Sequence, residues 1–292
     1  MSQTPVARKV RPAQVQIKPQ RMGFAFDPAD VPRYWYDNEP LLTHFMNVFS
    51  LTFPDGEQFF VDSVRALRDQ VSDPARQKDI SGFIGQEAMH SLEHKTFNAL
   101  LDKQGYQSLT STAVKQARGM LKFARKHYSA RRQLAATAGL EHITAILADA
   151  MLAHPEELDR MHPSVRALWL WHAIEETEHK AVAFDLYQDT VGDYGLRVSV
   201  FLRATLALGI FMGLHTYKLL EQDGLHRSPR VLARGLWKMW GYKGLFARVI
   251  PAYFDYLRPD FHPWDHDNSA LIARWKAETE AAMAPEYRQE AA

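Results

Sequence analysis

The chain of 292 residues contains no cysteine. That absence removes disulfides, iron–sulfur clusters, thiolate zinc sites and cysteine nucleophiles together. Any metal must then be held by carboxylate, imidazole or carbonyl groups, a hard donor set that suits iron or manganese better than copper(I) or structural zinc. Net charge is also lacking: 35 Lys and Arg stand against 34 Asp and Glu, so nothing global points to nucleic acid as a partner. A long uncharged apolar run is missing too. In Val198–Leu214, Arg203 interrupts the stretch and His215 ends it, leaving far fewer than the roughly 20 residues that a membrane span needs. We expect a buried bundle helix there and a cytoplasmic protein. The first twenty residues carry Arg8, Lys9, Arg11 and Lys18 without an acid and without the apolar core of a signal peptide, and read as a flexible tail.

Glycine and proline are sparse between about residues 55 and 190, where helix formers dominate. Tyr34 to Phe49 reads as a partly helical lead-in. Pro54-Asp55-Gly56 opens a helix to about Val71, and Pro74 opens a second to about Lys103, closed by Gly105. Thr112 to Lys126 is a basic helical stretch. Gln133 to Ala153 is a third strong helix, and Pro163 opens a fourth to about Asp189, closed by Gly192. Helices over Leu196–Leu220 and Arg230–Phe246, and one from about Asn268, complete the chain. No strand alternation and no repeat occur, so the fold class is all-α. The organisation expected is a tail over 1–20, a four-helix bundle over 21–192 and a helical extension packed on it over 193–292.

Each of the four strong helices has an apolar stripe at i, i+3, i+4, i+7 spacing, and ionisable residues sit inside those stripes. Glutamate is rarely buried unless it is paired or bound to metal. A Glu and a His at i and i+3 share one helix face about one turn apart. Glu87-Ala-Met-His90 and Glu176-Thr-Glu-His179 each offer one metal a carboxylate and an imidazole, and Glu57 and Glu141 supply a lone carboxylate from each remaining helix. This is the ligand set of di-iron and di-manganese helical bundles. The competing reading, a set of buried salt bridges, lacks cations: no Lys or Arg lies on the central part of these stripes.

At these residues the chain resembles the ferritin-like di-iron superfamily. More narrowly, it is similar to the bacterial family of predicted metal-dependent hydrolases. The matching stretches are Phe53-Pro54-Asp55-Gly56-Glu57-Gln58-Phe59-Phe60, Gln86-Glu87-Ala88-Met89-His90, Leu140-Glu141-His142, Glu175-Glu176-Thr177-Glu178-His179 and Phe261-His262-Pro263-Trp264. The resemblance covers roughly residues 20 to 280 and implies a ferritin-like four-helix bundle with additional C-terminal helices. His172, one turn before Glu176, is similar to an additional histidine of the di-iron arylamine N-oxygenases, which would make a seventh ligand.

Other residues compete for these roles. Glu175 also precedes His179, but the Glu-x-x-His spacing favours Glu176. His172 is either a ligand or a core histidine bonded to a ligand carboxylate. His94 lies a turn beyond His90 and could line an access channel, whereas His142 is rotated about 100° off the metal face. Asp149 and Asp185 could orient ligand imidazoles, although solvent-facing aspartates are commoner. The His262–His266 stretch reads as a loop before a helix capped at Asp267 or Asn268. Residues 111–140 and 224–254 carry Lys and Arg without an acid. They read as solvated helix faces, with peripheral contact to an anionic membrane as the sharper alternative.

The leading functional expectation is an O2-activating oxidoreductase holding two metal ions, iron first and manganese as the alternative, and acting on a small or lipid-like organic substrate. The second is a di-metal hydrolase. The third is a non-catalytic metal-binding bundle, and a homodimer is compatible with any of them.

Overall fold

The computed structural model describes residues 9–282. Among these the regular structure is helical throughout, with no β-strand, which bears out the all-α expectation. Proline and polar caps start the helices as the sequence suggests. Glu39 accepts from the Leu42 amide to open α1, Pro40–Arg65, and Asp73 accepts from the Ala75 amide to open α2, Pro74–Leu101. Gly105, at φ 96°, turns the chain from α2 into α3, Gln107–His127. Ser129 caps α4, Ala130–Ala153, and the short α5, Pro155–Asp159, leads to α6, Pro163–His179. Then follow α7 (Val182–Thr190), α8 (Tyr194–Gln222), α9 (Pro229–Trp240), α10 (Leu245–Asp255) and α11 (Ser269–Ala282).

α1, α2, α4 and the α6–α7 pair pack around one core. α3 and α9 lie against α1, α8 lies against α1 and α4, α10 lies against α4, and α11 lies against α4 and α6.

Three helical stretches start or break elsewhere than the sequence reading has them. α1 runs unbroken from Pro40, so Pro54 lies inside a helix instead of opening one. An interior proline costs about 3 kcal/mol. The buried N-terminal half of α1, with Leu42, Met46, Val48, Phe49 and Leu51, offsets that cost, since each such side chain contributes roughly 1.5–3 kcal/mol. The fourth strong helix breaks just after His179, where Lys180 is buried and donates to His266 O (2.7 Å) and Asn268 Oδ1 (2.9 Å). The stretch expected as one helix over Arg230–Phe246 is two, split at Gly241–Gly244, a turn tight enough that a Cβ on Gly244 would lie 2.6 Å from the Met239 carbonyl oxygen.

The expected tail is anchored from residue 9 onward; residues 1–8 lie outside the described residues. Arg11 donates to Asp79 (2.7 Å), Val15 is buried, and Ile17 and Pro19 lie directly on Gly82 and Gly85 of α2, with no room for a Cβ at either glycine. Beyond it, buried Glu93 accepts from the Met22, Gly23 and Phe24 amides at 3.1, 2.7 and 2.9 Å.

α8 requires the largest correction. It has 29 residues and is long and apolar enough to cross a membrane by length and composition, yet only 22% of its most apolar stretch is buried. It is therefore not the buried core helix expected. Arg197, Phe201, Phe211, Met212, His215 and Leu219 face the bundle, while Leu202, Leu206, Ile210 and Leu214 are exposed.

Candidate metal centre

Glu57 of α1, Glu87 and His90 of α2, Glu141 of α4, and His172, Glu176 and His179 of α6 converge in the bundle interior, none more than 3% exposed. The helical period puts them there: each occupies a position of its helix's inward stripe, so four carboxylates meet where a soluble protein would place leucines. Glu57, His90 and His172 form one group whose donor atoms lie within 4.8 Å of one another, and Glu87, Glu176 and His179 form another. Glu141 Oε2 joins the second group, 3.3 Å from His179 Nε2.

Glu87 and Glu176 lie between the two groups. Glu87 Oε1 is 3.7 Å from His90 Nδ1 and 3.3 Å from His179 Nε2. Glu176 Oε1 is 3.6 Å from His90 Nδ1, and its Oε2 is 3.6 Å from His179 Nε2. Each of these two carboxylates thus faces an imidazole of both groups.

The inward atoms fit metal ligation. Buried polar atoms ordinarily find hydrogen-bond partners. Here Glu57 Oε1, both oxygens of Glu87, His90 Nδ1, both oxygens of Glu141 and His179 Nε2 are buried without one, all on residues of the two groups. Other atoms of the cluster are satisfied. Ser91 Oγ donates to Glu57 Oε2 (2.7 Å), and Thr144 Oγ1 donates to Glu176 Oε2. His90 Nε2 meets Glu175 Oε2 at 3.1 Å, and His179 Nδ1 meets Gln86 Oε1 at 3.0 Å. An imidazole held at one nitrogen by an acceptor presents a lone pair at the other, the second-sphere pattern of metal-binding histidines.

A longer chain orients His172. Asn98 Nδ2 donates to the Ser50 carbonyl (3.1 Å), which leaves Asn98 Oδ1 to accept from Ser50 Oγ (2.7 Å). Ser50 Oγ then accepts from His94 Nδ1 (2.7 Å), and His94 Nε2 accepts from His172 Nδ1 (2.6 Å). In that tautomer His172 Nε2 is left as a lone pair 2.8 Å from Glu176 Oε1, a spacing that a proton or a bound cation shared by the two atoms would satisfy.

Electrostatics lead to the same conclusion. Burial first, and then the neighbouring carboxylates, push Glu87 far above the ordinary carboxylate range. Burial likewise raises Glu57 well above it, against the hydrogen bond from Ser91, and lifts Glu141 to about 7, with Glu176 adding to the shift. Burial drops His90 to about 3 and His172 to about 4, so both are neutral imidazoles. Burial opposes charge on His179, but the Glu176 and Glu141 carboxylates outweigh it and hold that imidazole up at about 10. The metal-free cluster therefore retains protons that bound cations would displace.

Several sequence candidates lie elsewhere. Glu175 is outside the cluster, bonded to His90 and to Trp171 Nε1 (3.0 Å). His94 does not line a channel; it is buried between Ser50 and His172. His142 faces away, bonded to Ala252 O (2.9 Å). Asp149 accepts from Asn268, and Asp185 takes Arg76 and His262 Nε2, so neither orients a cluster imidazole. Pro263–Asp265 forms a short 3-10 turn before α11, the loop reading of that stretch. Gln86, Ser91, Thr144 and the Ser50–Asn98 pair escaped the sequence reading; polar residues beside a ligand have no spacing that marks them.

An open cleft of about 860 Å³ reaches the cluster between α1, α3, α4 and α8. Glu57 and Thr144 lie at its inner end, Phe53 and Phe60 form wall, and Met120, Phe123, Arg132 and Arg203 lie at the outside. This volume falls within the roughly 300–1,000 Å³ of small-molecule sites.

A family model described as a predicted metal-dependent hydrolase matches residues 18–267. No curated protein and no solved structure matches the chain.

Proposed function

The chain belongs to the family of predicted metal-dependent hydrolases, and we propose on that premise that it is a hydrolase working with two metal ions held in the buried cluster. The observation that supports this most directly is the convergence of unpartnered buried carboxylate and imidazole atoms from α1, α2, α4 and α6 in the two groups. Glu57, His90 and His172 would hold one ion and Glu141 and His179 the other, with Glu87 and Glu176 between them. The hard oxygen and imidazole donors suit iron, with manganese as the alternative. Metal ions in such a pair supply Lewis acidity and a water acidic enough to be deprotonated near neutral pH.

The chain's own residues do the remaining work. Glu175, Gln86 and His94 each hold one imidazole in the tautomer that points a lone pair inward. Ser91 and Thr144 fix the rotation of Glu57 and Glu176. Phe53, its ring centroid 4.6 Å from that of His172, lines the cleft beside Glu57, and the substrate would approach past these residues.

The donor set itself favours a second reading. Four carboxylates and imidazoles on four helices also suit redox iron, and with them an O2-activating oxidoreductase. One experiment separates the two. Metal-loaded protein is assayed on a panel of carboxylic, phosphoric and amide esters, with and without O2. Turnover to acid and alcohol or amine in the absence of O2 supports the hydrolase; turnover only with O2 assigns the oxidoreductase. Elemental analysis of Glu87→Ala and Glu176→Ala tests the centre itself, and full occupancy in both would overturn it.

A further inference from the structure

We propose that the outer face of α3 and α8 docks on an anionic lipid bilayer, and that the cleft between these helices takes the acyl chain of an amphipathic substrate from that bilayer toward Glu57. The substrate class rests on the reading of the buried cluster as the reaction centre; the docking does not.

Four observations carry the proposal. First, α8 is two-faced. Its inner row is locked into the bundle, with buried Arg197 donating to the Tyr256 and Arg258 carbonyls at 2.8 and 2.7 Å. Its outer row, Leu202, Leu206, Ile210 and Leu214, spans more than three turns with Leu206 64% and Ile210 62% exposed. A helix held by one face cannot turn into a span without breaking those contacts, so this geometry suits a helix lying in the interface plane.

Second, the mouth of the cleft opens on this face. Met120 and Phe123 of α3, both about half exposed, and Arg203 and Ala207 of α8 line it, so the apolar row and the route to Glu57 are continuous.

Third, the surrounding charge has one sign. α8 carries no acid between Asp193 and Glu221, and residues 107–140 carry none at all. The nearby acids Asp55 and Asp62 on α1 are taken by Arg118 and Arg125 at 3.1 and 3.0 Å. Lys122, Lys126, Arg132 and Arg203 then have no carboxylate partner among the described residues and face outward, where anionic headgroups attract such side chains.

Fourth, α9, which packs on α1, α10, which packs on α4, and the loop between them expose Trp237, Trp240, Tyr242 and Phe254 beside Arg230 and Arg234, the residue types that anchor at headgroup depth.

The same charge argues against a second copy as occupant. A two-fold contact sets the same patch against itself, which would bring the basic flanks together with no acid between them.

The test uses the full chain loaded with metal. Co-sedimentation is measured with vesicles of phosphatidylcholine alone and of phosphatidylcholine with phosphatidylserine, at physiological and high salt. Binding is expected to the anionic vesicles, to weaken at high salt and to be released by carbonate. Leu206→Glu with Ile210→Glu, both exposed and so tolerated by the fold, should weaken binding about tenfold or more, the effect of withdrawing large apolar side chains from lipid contact, with metal content unchanged. For the cleft, Ala207→Trp should weaken binding of the fluorescent fatty acid cis-parinarate about tenfold, again with full metal content. Absence of vesicle binding, equal binding by the double variant, resistance to carbonate, or a stable dimer that ignores vesicles would each overturn the docking. Unchanged parinarate binding in Ala207→Trp would overturn the acyl route. Glu57→Ala separates the two readings: it should lose metal and still sediment with anionic vesicles, so a failed metal centre leaves the docking result intact.

Discussion

Glu141 offers a test in which loss of a ligand stabilises the metal-free protein. Burial, with Glu176 adding to it, lifts this carboxyl from 4.5 to about 7. Between these values the folded chain keeps a proton that the unfolded chain releases, so stability falls as pH rises through that window and stays lowered above it. At roughly 1.4 kcal/mol per tenfold change in proton affinity, the ionised carboxylate costs the folded state on the order of 3 kcal/mol at pH 8. Glu141→Gln removes that cost while keeping the shape. It also removes an attraction to His179, 3.3 Å away, although Glu87 and Glu176 still face that ring at 3.3 and 3.6 Å. A net gain of about 1–3 kcal/mol remains, a rise of about 2–10 °C in Tm for a chain of this size. The assay is thermal unfolding in chelator at pH 8 and at pH 4, with and without added iron or manganese. The expected pattern is a more stable metal-free variant at pH 8, no difference at pH 4, and a smaller increment from metal than in the parent. A metal-free variant no more stable than the parent at pH 8, or a gain of the same size at pH 4, would refute the reasoning.

Metal-free protein should lose stability steadily from pH 6.5 to 10. His179, raised to about 10, and Glu175, raised to about 8, are both protonated in the folded state at pH values where the unfolded chain has released the proton; saturating metal should flatten this decline in the same unfolding scans. Glu175→Leu takes the acceptor from His90 Nε2 and should lower metal affinity by about 10–100-fold in competition with a chelator, while X-ray absorption finds the coordination number unchanged. His172→Ala should lose one nitrogen from the metal's coordination in the same measurement, whereas His94→Ala should lower affinity and keep that nitrogen; an unchanged nitrogen count in His172→Ala would show that His172 only supports a ligand.

What the sequence determined by itself was local. Proline and cap residues mark the starts of α2, α6 and α9, and the 3.6-residue period puts Glu57, Glu87, His90, Glu141, Glu176 and His179 on inward faces. Both signals are carried within a few turns of chain, and so is the spacing that pairs Glu87 with His90 and Glu176 with His179. The tertiary structure decided everything that depends on what covers a helix. Pro54 stays inside α1 because residues before it are buried by distant helices, a gain that local propensity does not contain. Glu175 and Glu176 are neighbours with the same intrinsic chemistry, and only the arrangement of α2 against α6 sends one to Trp171 and His90 Nε2 and the other into the cluster. His172 owes its inward lone pair to Ser50, His94 and Asn98, which come from two other helices. The apolar outer row of α8 has the composition of a core helix. Whether such a row is buried depends on the presence of a further layer beyond it, and among the described residues none covers it.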